Sequence, residues 1–225
     1  SESREHDSVG HTILITTKDA KTSASRTTTI ERCIAADTSG CADGEGIKSV
    51  DGARTDLVDK TKYAYYIESA PGCDTGESTC IYRRGDLRKI VNPLSQTTEY
   101  LAYDGAGRPL SIRDANGIVT DYTYHPRGWL TTTKVRGSDA SSEADDRITR
   151  IDYWPTGLVK QVTQPDGAFT AFTYDAAHRL TDIADNAGNT VHYALDNAGN
   201  RIKEDTKDAS GTLKRTLSRV YNQLG

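Results

Sequence analysis

The sequence predicts an all-β fold in which antiparallel strand-turn-strand repeats continue one sheet. Three observations carry this expectation. A tyrosine-led motif recurs at a fixed spacing, glycine-containing turn signals fall between its copies, and no stretch from residue 80 onward has a sustained 3.6-residue apolar period. Composition agrees. Only 35% of the 225 residues are hydrophobic, and 12 tyrosines stand against 2 phenylalanines and 2 tryptophans, alongside many Thr and Ile. Such side chains suit a pleated, half-buried surface better than one wide core.

The repeat runs IYRRGDL, AYDGAGRPL, TYHPRGWL, DYWPTGLV, TYDAAHRL, ALDNAGNRI and VYNQLG, with anchors Tyr82, Tyr103, Tyr124, Tyr153, Tyr174, Leu195 and Tyr221. Successive gaps are 21, 21, 29, 21, 21 and 26 residues. The two longer gaps hold insertions expected at the polar stretches SDASSEADD (138–146) and KDASG (207–211). Glycine follows four residues after the anchor in five units, as Gly107, Gly128, Gly157, Gly199 and Gly225. In the first unit it comes one residue early, as Gly85, and in the fifth His178 stands in its place. Midway to the next anchor lies a second turn signal: NPLSQ, DANG, QPDG, DNAGN or DASG. Runs between the turns, such as IVTDYTY (118–124) and AFTAFTY (168–174), alternate with period two, as strands do. Each unit therefore reads as strand, turn, strand, turn, with Asp-Gly and Asn-Gly pieces supplying the backbone conformations tight connections need. A lone hairpin is marginal in water, whereas stacked units gain stability with copy number.

Residues 80–225 thus form an array of about six units and a truncated seventh. That truncation, the absence of methionine and an opening SESREHD without an apolar leader point to a piece of a longer chain. Residues 1–79 are less regular: HTILITTK (11–18), SRTTTIER (25–32) and KTKYAYYIE (61–68) read as strands, and the Gly/Asp-rich stretch 35–60 as a loop. Two readings compete for this lead-in, degenerate units of the same sheet or a distinct β segment.

The four cysteines, Cys33, Cys41, Cys73 and Cys80, have spacings unlike zinc knuckles, and no histidine lies near them in sequence. Two short-range disulfides, Cys33–Cys41 and Cys73–Cys80, are expected, which points to export. A net charge of −4 and no concentration of Lys and Arg argue against nucleic acid, and the longest apolar stretch is far too short for a membrane span.

The units built as YDxxGRL, best seen in AYDGAGRPLSIRDANGIVTDYTY and TYDAAHRLTDIADNAGNTVHYALDNAGNR, resemble the RHS (YD) repeat family. The resemblance covers 80–225 well and 1–79 loosely. It implies a large exported protein, secreted or at the bacterial cell surface, whose long antiparallel strands curve or spiral into a hollow shell around a C-terminal toxin. Related shells occur in Tc toxins and teneurins. The implied partners are the rest of the parent polypeptide and its enclosed toxin. YD repeats are also linked to carbohydrate binding, which makes an extracellular glycan-binding or adhesion module the competing role.

No catalytic, cofactor or metal site is expected. A phosphate loop needs its glycines to open a helix, and here strand-like sequence follows them. DNAGN at 185–189 and 196–200 lacks the oxygen ligands and terminal Glu of a calcium loop. Arg84-Gly85-Asp86 reads as an ordinary turn. The anchor tyrosines are expected to pack as core, each ring buried with its hydroxyl partnered. Trp129 and Trp154, which do not recur, are the candidates for glycan contact.

Overall fold

The computed structural model describes residues 2–8, 10–18, 25–33, 41, 46–54, 56–57, 59–73, 80–139 and 142–221. The chain forms two compact units, residues 1–120 and 121–225. No helix occurs among the described residues.

The first unit carries β1 (Glu2–His6), β2 (Thr12–Lys18), β3 (Ser25–Arg32), β4 (Ile47–Asp51), β5 (Lys60–Tyr65), β6 (Leu87–Val91), β7 (Thr97–Tyr103) and β8 (Pro109–Arg113). Each pairs antiparallel with the next. The second unit takes in most of β9 (Val119–Tyr124), then β10 (Leu130–Val135), β11 (Arg147–Tyr153), β12 (Val159–Thr163), β13 (Phe169–Tyr174), β14 (Leu180–Asp185), β15 (Thr190–Leu195), β16 (Arg201–Lys207) and β17 (Leu213–Ser218). From β10 onward its ladders are again antiparallel between consecutive strands.

The expected strands at 11–18, 25–32 and 61–68 appear as β2, β3 and β5. The reading of 35–60 as a single loop is corrected, because β4 lies inside it. Its IKSVD does not alternate: Ile47 and Val50 fall on opposite faces, and the buried position is polar, Ser49. The expected insertion at 207–211 is also corrected. Asp208 to Thr212 is a turn of ordinary size. The extra residues lie on either side of it: Asp196 to Asp208 spans twelve positions where Asp175 to Asp185 spans ten, and Asp208 to Tyr221 spans thirteen where Asp185 to Leu195 spans ten.

The core is thin. Cys33, Cys41, Ala70, Tyr103 and Tyr193 are the buried hydrophobic residues among those described, and no large side chain is fully enclosed. In each unit, β strands with so few buried side chains cannot hold their shape by burial alone. Their order has to come from the ladders and from the ladder ends.

Candidate functional site: the hairpin corners

One turn geometry closes nearly every hairpin. In AYDGAGRPL, the Asp104 N–H donates to the Arg108 carbonyl at 2.9 Å, and the Gly107 N–H returns to the Asp104 carbonyl at 3.1 Å. The pair of bonds recurs at Asp114–Ile118, His125–Trp129, Trp154–Leu158, Gln164–Ala168, Asp175–Arg179, Asp185–Asn189, Asp196–Asn200 and Asp208–Thr212. This is the three-residue hairpin loop, a turn followed by one residue in the left-handed region. That third residue is glycine at φ 78° in Gly107 and 91° in Gly199, while His178 and Ser95 hold φ 64° and 63° in the same role. Gly225 lies outside the described residues.

The aspartate that opens a corner also fastens it. Asp104 Oδ1 accepts the Ala106 and Arg108 N–H groups at 2.9 and 3.0 Å, and Oδ2 receives Arg108 Nε at 2.6 Å. Asp175 repeats this with Ala177 and Arg179, and Asp185 with Ala187 and Asn189. Donors converging on an ionised carboxylate favour its charged form. The Arg179 backbone and side-chain bonds hold Asp175 below the usual carboxylate range, the Asn189 amide does so for Asp185, and the Lys214 ammonium takes Asp208 down to about 2.

The anchors sit one residue before these corners, where the ladder registers slip at Tyr65, Tyr103, Tyr153, Tyr174 and Leu195. Tyr103 is 6% exposed, and its hydroxyl donates to the carbonyl of Leu87, the first residue of the neighbouring strand, at 2.6 Å. Tyr153 donates likewise to Leu130, Tyr221 to Arg201 and Tyr65 to Ile47. Tyr124 and Leu195 close β9 and β15, and Tyr174 closes β13.

Tyr82 does not end a strand, and this departs from the expectation. The Tyr66 N–H donates to Asp86 O, and the Gly85 N–H returns to Tyr66 O, both at 2.9 Å. That is the corner pattern with residues 67–84 inserted between its halves, so Tyr65 holds the anchor place. Tyr82 stacks on Tyr66 with ring centres 3.7 Å apart, outside the loop that the Cys73–Cys80 disulfide closes. The early position of Gly85 follows from this insertion. The second disulfide, Cys33–Cys41, starts at the β3–β4 corner, where the Cys33 N–H donates to Gly46 O. Sequence reasoning also missed the corner His6-Asp7…Gly10-His11, although D-x-x-G is present there. Asp7 makes both turn bonds and Gly10 has φ 90°.

The two tryptophans separate. Trp129 is half-buried, stacked on His125 with centres 4.9 Å apart and tilted against Tyr153 at 5.3 Å. It lies so close over Gly157 that a β-carbon there would come within 2.6 Å of its ring. Trp154 is 38% exposed, under the Lys160 ammonium, and lines two open clefts of about 400 and 440 Å3. Among the described residues, no three His, Cys, Asp or Glu side chains are placed to share a metal ion.

The RHS repeat family model matches residues 82–118, 103–139 and 153–190, and each match begins on an anchor named from the sequence. Residues 82–139 and 153–190 carry RHS repeats. No curated protein matches it in sequence. Among solved structures, TcdB2-TccC3-Cdc42 aligns over 94% of the chain at 14% identity with a TM-score of 0.57. TcdB2-TccC3-TEV aligns over 92% at 12% identity with a TM-score of 0.55. A Photorhabdus luminescens Tc holotoxin pore aligns over 97% at 13% identity with a TM-score of 0.46. The chain spans 12%, 10% and 14% of these proteins' own chains respectively. The first two likenesses establish a shared fold.

Proposed function

We propose that the chain is a non-catalytic stretch of wall in an exported RHS-type protein, forming part of a β shell that encloses or displays a toxin or effector carried by the same polypeptide. One observation carries the reading: a β layer with almost no core of its own is held corner by corner through repeated hydrogen-bonded clamps. Such a layer is suited to extending a surface, not to building a pocket for chemistry. Its fold is shared with far longer TcdB2-TccC3 chains. Two disulfides fit an oxidising, extracytoplasmic location, secreted or at the cell surface. No helix among the described residues is long and apolar enough to cross a membrane.

The parent reading frame tests this. A toxin-like domain beside the repeats is the expected content, and a frame holding repeats alone rejects the proposal. Limited proteolysis of the intact parent polypeptide then separates enclosure from display, since an enclosed domain resists protease until the shell unfolds.

A second reading, glycan binding, rests on Trp154, the more exposed of the two rings; Trp129 also lines the 440 Å3 cleft but is stacked on His125. A glycan array probed with the chain and with Trp154→Ala decides it. Binding lost with the ring supports a lectin-like role, and an empty array removes it.

A further inference from the structure

Away from the corners, the first unit holds a cavity of about 350 Å3 across β3 to β6, lined by Glu31, Lys48, Ser49, Lys60, Lys62 and Lys89 among others. Register puts most of these on one sheet face. Glu31 lies opposite Ser49, Ser49 opposite Lys62, and Lys62 opposite Val91, while Ala64 lies opposite Lys89. Four ammonium groups therefore share the cavity with one carboxylate.

That carboxylate is fully engaged. Ser49, 2% exposed, donates to Glu31 Oε2 at 3.0 Å, and the Lys48 and Lys60 ammonium groups each stand 3.5 Å from a Glu31 oxygen. Lys62 and Lys89 have no ion-pair partner among the described residues. Lys89 lies opposite Glu99, but Glu99 receives Arg113 Nη1 at 2.9 Å instead. Lys62 and Lys89 are diagonal neighbours on this face, so an anion between them would relieve their mutual repulsion. The volume is at the small end for ligand pockets. An ammonium presents three donors and no acceptor, which suits oxygen-rich anions.

We propose that this cavity is a binding site for a small multivalent oxyanion, a molecule carrying phosphate or sulfate groups, held by Lys62 and Lys89 with Lys60 and Lys48 positioned by Glu31. The site is independent of the corners and of Trp154.

Isothermal titration of the 225-residue chain with pyrophosphate, and separately with inorganic sulfate, tests it. Saturable binding of at least one probe is expected, weakening as salt is raised. The probe that binds tells phosphate from sulfate. Lys62→Gln and Lys89→Gln, which keep the polar stems, should each weaken binding about tenfold or more, while Lys160→Gln leaves it unchanged. The thermal midpoint gives a second readout: the bound probe raises it in the unsubstituted chain and not in the double variant, which unliganded melts no lower than the parent. Failure of both probes to bind, or binding that survives both substitutions, overturns the proposal.

Discussion

Asp175 and Arg179 clasp each other across a three-residue corner, with Arg179 Nε 2.7 Å from Asp175 Oδ2, and the same guanidinium donates to the Asp196 carbonyl at 3.1 Å. The second bond joins one corner to the next on the same edge of the sheet. Arg127 does the same when it donates to Pro155 O at 2.8 Å. A lysine could hold the carboxylate but not both partners in the guanidinium's fixed fork. Arg179→Lys is therefore expected to destabilise the chain by about 1 kcal/mol, close to one intramolecular hydrogen bond. Urea denaturation followed by circular dichroism measures it, and an unchanged midpoint would show that the corners act separately.

The position-three residue of a corner gives a prediction with two signs. His178 has φ 64°, where an L side chain costs roughly 1–2 kcal/mol that glycine avoids. His178→Gly should then raise stability by about 1 kcal/mol, less a few tenths for the greater freedom of the unfolded chain. Gly107→Ala should lower it by a similar amount, although space is open there. If both substitutions are neutral, the left-handed position does not constrain these corners.

Anchor hydroxyls should differ in worth. Tyr103 donates from a buried ring to Leu87 O, whereas the Tyr174 hydroxyl has no hydrogen-bond partner among the described residues. Tyr103→Phe leaves a strand-end carbonyl without its donor and should cost about 1–2 kcal/mol. Tyr174→Phe should cost almost nothing. Equal losses in thermal or urea unfolding would mean that ring packing, not the hydroxyl bond, sets the anchor.

These corners were legible in the sequence because D-x-x-G chemistry repeats at a spacing set by strand length, so each copy supports the others. Legibility failed where that spacing breaks. Tyr65 and Gly85 belong to one corner, but the excursion between them let Tyr82, a tyrosine at a convenient distance, pass for the anchor. His6-Asp7…Gly10-His11 was missed because its anchor is not aromatic. The role of the aspartate was understated as turn-making, since nothing in a one-dimensional pattern reveals that Oδ1 takes two N–H groups while Oδ2 takes the side chain four residues on. Trp129 and Trp154 looked alike in sequence. Only the approach of Trp129 to Gly157 tells a packed ring from an exposed one.

Acid should loosen the corners together. Asp175, Asp185, Asp196 and Asp208 all titrate below the ordinary carboxylate range, through the Arg179 N–H, the Asn189 and Asn200 amides and the Lys214 ammonium respectively, and Asp208 is taken to about 2. In the unfolded chain the same groups titrate at roughly 3.9. A carboxylate whose folded value is the lower one contributes stability at every pH above the unfolded value, and that contribution is lost as pH falls through the folded value. Stability linked to these groups should therefore be level from neutrality to about pH 5, and should decline between about pH 4 and 2. Asp208→Asn keeps an oxygen for the Ser210 and Thr212 N–H groups but loses the charge that holds Lys214 at 2.7 Å. This variant should be slightly less stable at pH 7 and should show a shallower acid decline. Urea midpoints measured across pH 2–7 for both proteins check the sign, and a midpoint that rises on acidification would refute the role assigned to the corner aspartates.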